Sequence, residues 1–118
     1  WVLSGAKSVV LDGDSADRIF VTARTAGGAR DEGGIGIFMV DGKADGLSRR
    51  GYVMQDGRRG AELRLDSVRA QAVIGDPENG LPILQRVVDA GIAALHRTAE
   101  PDGVFCYTFF KATSARSA

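Results

Sequence analysis

The stretch Arg18-Ile19-Phe20-Val21-Thr22-Ala23-Arg24 decides the fold class. It is crowded with β-branched and aromatic residues, whose side chains suit a pleated surface better than a helix. A polar turn around Ala26-Gly27-Gly28 follows. Then comes Gly34-Ile35-Gly36-Ile37-Phe38-Met39-Val40, apolar on both faces, as a buried strand is. Further out, Glu62-Leu63-Arg64-Leu65-Asp66 alternates, which predicts one face packed inward and one in water. Shorter strands are expected at Val2 to Ser4, Ser8 to Leu11, Arg49 to Met54 and Ala70 to Ile74. The dipeptides Asp12-Gly13, Asp41-Gly42, Asp45-Gly46 and Asp56-Gly57 mark turns between these runs. Short strands at this spacing, with no helix among them, predict a mainly β domain, an antiparallel barrel or sandwich.

From Gly80 the period changes. Leu81, Leu84, Val87, Val88, Ile92 and Leu95 recur at steps of three and four, the stripe of one helix. Asn79 or Asp76 is the expected cap, and Pro82 fits the first turn, where a missing N–H costs nothing. The helix should run to about Thr98 and stop near Pro101-Asp102-Gly103. Beyond it, Val104-Phe105-Cys106-Tyr107-Thr108-Phe109-Phe110 is apolar and β-prone with no evident partner, and Lys111 to Ala118 is small and polar. The stripe Leu84, Val88, Ile92 and Leu95, with nothing to cover it, predicts self-association.

The 118 residues suffice for one core. Fifteen Lys and Arg balance fifteen Asp and Glu, so no general attraction to nucleic acid or an anionic membrane is expected. Cys106 and His96 are single, which excludes an intrachain disulfide, a cysteine cluster or a two-imidazole site. No apolar run approaches the roughly 20 residues that span a bilayer, and a cytoplasmic location is expected. The opening Trp1-Val2-Leu3-Ser4-Gly5, with no Met and no signal pattern, reads as the start of a fragment.

Asp12-Gly13-Asp14-Ser15-Ala16-Asp17 opens like a calcium loop but puts Ala16 where a ligand is needed and has no closing Glu, so it reads as a solvated turn. Gly33-Gly34-Ile35-Gly36 lacks the third glycine and the following helix of a dinucleotide fingerprint. Arg49-Arg50 and Arg58-Arg59 are candidate phosphate binders, with a solvated face or edge the favoured reading. Cys106 has no base in view to make it nucleophilic, and His96 is expected at the surface.

Several segments in order resemble the middle β-domain of the acyl-CoA dehydrogenase family. The opening Trp1-Val2-Leu3-Ser4-Gly5-Ala6-Lys7, then Ala16-Asp17 and Ile19-Phe20-Val21-Thr22-Ala23-Arg24, is similar to the family's "aromatic, apolar, apolar, Asn/Ser, Gly, x, Lys" and "Ala-Asp, strand". Gly36-Ile37-Phe38-Met39-Val40 with Asp45-Gly46-Leu47, and Ala61-Glu62-Leu63-Arg64-Leu65-Asp66-Ser67-Val68-Arg69, resemble its next strands. Val73-Ile74-Gly75-Asp76 and Gly80-Leu81 lead into the first helix of its C-terminal domain. Within the family the chain is similar to the bacterial branch of pimeloyl-CoA dehydrogenase small subunits.

The resemblance implies an orthogonal β-sandwich or barrel over 1–75, the start of a C-terminal helical domain over 76–100, and an atypical tail over 101–118. It implies FAD as cofactor, an acyl-CoA substrate and a homo- or hetero-oligomer. The chemistry implied is α,β-dehydrogenation of a thioester, with hydride passing to flavin N5. The family's flavin wall falls here on Val9, Val10 and Leu11, and Leu11 lacks the hydroxyl that the family's Thr carries there. The family's catalytic Glu belongs to helices beyond this sequence, so no catalytic residue is assigned. Asp89 is kept on the first helix while the Arg that follows it in many members is not. After Leu95 the resemblance ends, which suggests a frameshift, a gene-prediction error or a truncated gene. The competing expectation is a non-catalytic β interaction or scaffold domain, or the remnant of a decayed gene.

Overall fold

The computed structural model describes residues 1–98 and 110–116. Seven strands and one helix occur in the order β1 (Val2–Leu11), β2 (Arg18–Arg24), β3 (Ile35–Asp41), β4 (Leu47–Val53), β5 (Arg59–Arg69), β6 (Ala72–Ile74), α1 (Leu81–Thr98) and β7 (Phe110–Arg116). The strands form one sheet in the order β4-β5-β1-β7-β2-β3-β6. All pairings are antiparallel except that of β2 with β7, which is parallel. Among the described residues the fold is therefore mainly antiparallel β with a single helix, as the sequence predicts.

β2 and α1 lie where their patterns place them. β1 differs: two short strands were expected, and one continuous strand of 10 residues forms. Gly5 does not end it, because glycine tolerates the positive φ of 149° that it has there and stays in the ladder, and the backbone shifts register at bulges instead. The end of the chain also differs. The β-prone run from Val104 lies outside the described residues except for Phe110. The strand that does form uses the small, polar Lys111 to Arg116, and it has partners on both sides. Its Ala115 is buried against the core, and its backbone meets the polar groups of β1 that would otherwise lack a ladder on that edge.

One apolar core collects residues from strands across the sheet. Leu3, Phe38, Val40, Ala61 and Val68 are fully buried, joined by Val21, Ala23, Leu63 and Leu65. The sheet must curl for β5 and β3, which are separated in strand order, to share this cluster. Trp1 covers one side of it, its ring 5.4 Å from that of Phe38 and tilted by 52°. Such a pair contributes about 1 kcal/mol beyond the area it buries.

α1 is entered through a tight approach rather than a side-chain cap. The Gly80 N–H donates to the Ile35 carbonyl at 2.6 Å, and the Gly80 carbonyl accepts the first helical bonds from Ile83 and Leu84. A Cβ at Gly80 would stand 2.9 Å from that carbonyl oxygen, so only glycine lets the chain pass so close. Asp76, one of the two expected caps, instead accepts the Glu78 N–H at 2.8 Å within the preceding turn. Ile83 and Leu84 face the sheet, whereas Val87, Val88 and Ile92 are exposed. Half of the apolar stripe therefore has no cover among the described residues.

Candidate functional site

The segment Val9, Val10 and Leu11 ends β1, and its geometry is set by a bulge. Lys7 pairs with Leu63 and Val10 pairs with Ala61, so two residues of β1, Ser8 and Val9, stand opposite the single residue Glu62 of β5. The extra residue is absorbed at Val9, whose φ is 54°. A β-branched side chain rarely tolerates that left-handed conformation, and holding it there costs on the order of 1–3 kcal/mol.

Glu62 supplies what holds it. Its carboxylate accepts the Ser8 hydroxyl at 2.9 Å and the Val9 N–H at 3.4 Å, and the Tyr52 hydroxyl at 3.3 Å. Hydrogen bonds to a charged acceptor contribute about 1.5–3 kcal/mol each, enough to offset the strain. In the sequence Glu62 is marked only as a polar member of an alternating strand. The partner that gives it a role lies 54 residues earlier in the chain.

Beyond the bulge, the chain turns back under two arginines. Asp12, also with positive φ at 52°, donates its N–H to the Arg59 carbonyl at 3.0 Å. Arg49 donates to the Gly13 and Ala16 carbonyls at 3.2 and 2.9 Å. Arg59 Nε donates to Asp14 at 2.6 Å and its guanidinium completes an ion pair there. That hydrogen bond holds the Asp14 carboxyl below the usual range. Arg49 and Arg59 are thus clips between the turn and the β4–β5 hairpin, and Arg58 lies 3.9 Å from Asp56. The phosphate-binding alternative gains nothing from this arrangement, in which Arg49 and Arg59 serve the fold.

On its inner side the end of β1 borders a cavity of about 430 Å3. Val10, Phe20, Ile37, Ile74 and Leu84 make most of its wall apolar. Lys7 and Thr22 bring polar groups, with the Lys7 ammonium 3.4 Å from the Thr22 hydroxyl. Lys7 is 6% exposed, and burial pulls its pKa from 10.5 down to about 8. Leu11 on the outer side is 37% exposed.

The remaining candidates separate. The turn at 12–17 gathers no metal site, and among the described residues no cluster of His, Cys, Asp and Glu can hold a metal. Gly34 and Gly36 serve packing: a Cβ on Gly36 would meet the Phe38 ring at 2.8 Å. His96 falls within α1, and Cys106 lies outside the described residues. Asp89 accepts a hydrogen bond from Gln85 one turn earlier, at 3.1 Å. No helix among the described residues is long and apolar enough to cross a membrane.

No family model matches the chain. It is 32% identical over 100 residues to cyclohexane-1-carbonyl-CoA dehydrogenase of Geobacter metallireducens, an alignment that takes in 80% of this chain and 26% of the relative. The chain thus spans about a quarter of the length of the curated relative it matches. Among solved structures it is similar to a glutaryl-coenzyme A dehydrogenase in complex with glutaryl-CoA, with a TM-score of 0.63 and 24% identity over 71% of this chain and 22% of that one. It is also similar to a variant of a steroid ACAD, with a TM-score of 0.66 and 21% identity over 81% of this chain and 30% of that one. At that identity these structures speak for the fold alone, and they agree with the sequence relationship. Sequence and fold together make this chain a relative of the acyl-CoA dehydrogenase family, an oxidoreductase family, through its β-rich segment.

Proposed function

We propose that this chain supplies the β-wall of an FAD-dependent acyl-CoA dehydrogenase, with Val9, Val10 and Leu11 facing the flavin. The observation that carries the reading is the strained, pinned end of β1, which presents an apolar flank beside an apolar cavity. An aliphatic wall with a fixed backbone fits a flat aromatic ring, which gains from contact area and from the exclusion of water. Bound FAD would accept the hydride at N5. The chain's own part would be to orient the ring and keep water from it. Leu11 offers no hydroxyl to that edge, so any polar contact there must come from backbone groups.

In this reading residues 1–75 form the β-domain, 76–100 begin a helical domain, and 101–118 are a divergent tail. The catalytic base and most of the acyl-CoA contacts come from outside this sequence, the assembly is an oligomer, and the setting is cytoplasmic. A relative named for cyclohexane-1-carbonyl-CoA supports a CoA thioester as substrate class. A second reading, a non-catalytic β interaction module, draws on the exposed Val87, Val88 and Ile92 of α1.

The test is to titrate FAD into the purified chain and follow flavin fluorescence together with the amide resonances of residues 9 to 11. Weak binding that moves those amides, with no acyl-CoA oxidation by the chain alone, is expected. If no flavin binds under any condition while a protein partner co-purifies through α1, the interaction module takes the place of this reading.

A further inference from the structure

We propose that Glu62 is a positioning residue of the flavin-facing segment, setting the angle at which Val10 and Leu11 are presented. The inference rests on the reading that this segment faces flavin, and it goes beyond that reading by naming the group that fixes the geometry. At the bulge, Ser8 and Val9 share one partner position, so the backbone there lacks the regular ladder that orients the rest of β1. An unpinned strand end would relax Val9 out of its left-handed conformation, since a β-branched residue gains by leaving it.

The Glu62 carboxylate prevents that relaxation from two directions. One oxygen takes the Ser8 hydroxyl, and the other takes the Val9 N–H. The Tyr52 hydroxyl, reaching across from β4, donates to that second oxygen and so orients the carboxylate itself. A carboxylate suits this task because it accepts in both directions with charge assistance, whereas an amide has a single oxygen acceptor. The pinned residue is followed directly by Val10, which lines the cavity, and by Leu11, which is exposed on the other side. A rotation at Val9 therefore swings both side chains, and no contact between Glu62 and flavin is required.

The experiment compares the whole chain with Glu62→Gln and Glu62→Ala, using FAD itself as probe. Affinity is read by fluorescence titration and ring orientation by the visible circular dichroism of bound flavin at saturation. Glu62→Ala is expected to weaken FAD about tenfold, equivalent to about 1.4 kcal/mol, and to change the shape of the dichroism band. Glu62→Gln is expected to recover part of the affinity and the wild-type band. A purely structural role would lower the folded fraction without altering the band of the flavin that remains bound.

Wild-type FAD binding with an unchanged affinity and band in Glu62→Ala would overturn the proposal and leave the flavin reading standing. No FAD binding by the wild type would overturn both. If Glu62→Ala does not fold, Ser8→Ala removes the shorter contact alone and is held to the same two readouts.

Discussion

The β1–β5 ladder is broken twice, once on each strand, and the two breaks are repaired by different means. Near its start the extra residue belongs to β5: Leu3 pairs with Val68 and Gly5 with Leu65, leaving Ser4 opposite Asp66 and Ser67. Ser67 takes the positive φ, at 51°, and its N–H is received by the Ser4 hydroxyl at 3.1 Å. Near its end the extra residue belongs to β1, and Val9 takes the positive φ under a carboxylate that also holds Ser8 and Tyr52. A small polar residue on the surface bends easily, and here its N–H is held by a neutral hydroxyl. A β-branched residue beside a cavity does not, and it is bent only with charge-assisted support. The strain is thus concentrated at the end of the ladder that carries the candidate site.

The largest effect should come from Glu62→Ala, which leaves the Ser8, Val9 and Tyr52 donors to find other acceptors. A loss of about 2 kcal/mol is expected in urea denaturation. A loss as small as that of Ser4→Ala would mean that the two bulges are equivalent after all.

Between the breaks lies Lys7, and Lys7→Met should stabilise the fold by about 1–2 kcal/mol at neutral pH by removing a desolvated ammonium. The sign follows from the lowered pKa. The folded state binds fewer protons than the unfolded state between pH of about 8 and 10.5, so stability rises with pH across that window. Below it the full penalty applies. The advantage of Lys7→Met should therefore shrink between those limits, and an advantage that stays constant to pH 10.5 would contradict the burial argument.

Val9→Gly removes the left-handed penalty at the cost of chain entropy, and a net gain of about 1 kcal/mol is expected. A loss would show that the valine side chain contributes more by packing than its backbone forfeits. Ser4→Ala should be the mildest, destabilising by about 0.5–1 kcal/mol through loss of the neutral hydrogen bond to the Ser67 N–H. Thermal unfolding resolves both.

What the sequence made legible was local. β2 follows from Ile19, Val21 and Ala23 facing inward, and α1 from a stripe that starts after Gly80. The acyl-CoA dehydrogenase relationship was legible from short motifs in order, and so was the segment Val9 to Leu11 as a candidate. The bulge that shapes it was not. A register shift exists only between two strands, and residues 8 and 62 carry no local mark of their pairing. Glu62 looked like any solvent-facing residue of an alternating strand. Arg49 and Arg59 were legible as charges and not as clips, because Asp14 and the Ala16 carbonyl come from a distant turn. The strand at 110–116 was hidden for the opposite reason: Ala112, Ser114 and Ala115 are weak β-formers, and the open edge of β1 overrides their preference.

The place of β7 in the sheet has a consequence for assembly. β4, β5 and β1 make one half, β2, β3 and β6 make the other, and the two halves meet through β7, the last of the described strands. During synthesis the facing edges of β1 and β2 stay without this joining strand until residues 110–116 have emerged. Closure of the sheet then joins Val2 to Arg116, residues far apart along the chain. Such long-range closure is slow, and an open strand edge recruits foreign strands in the meantime. The seam between β1 and β2 is therefore where a nascent copy of this protein would first pair with the wrong chain.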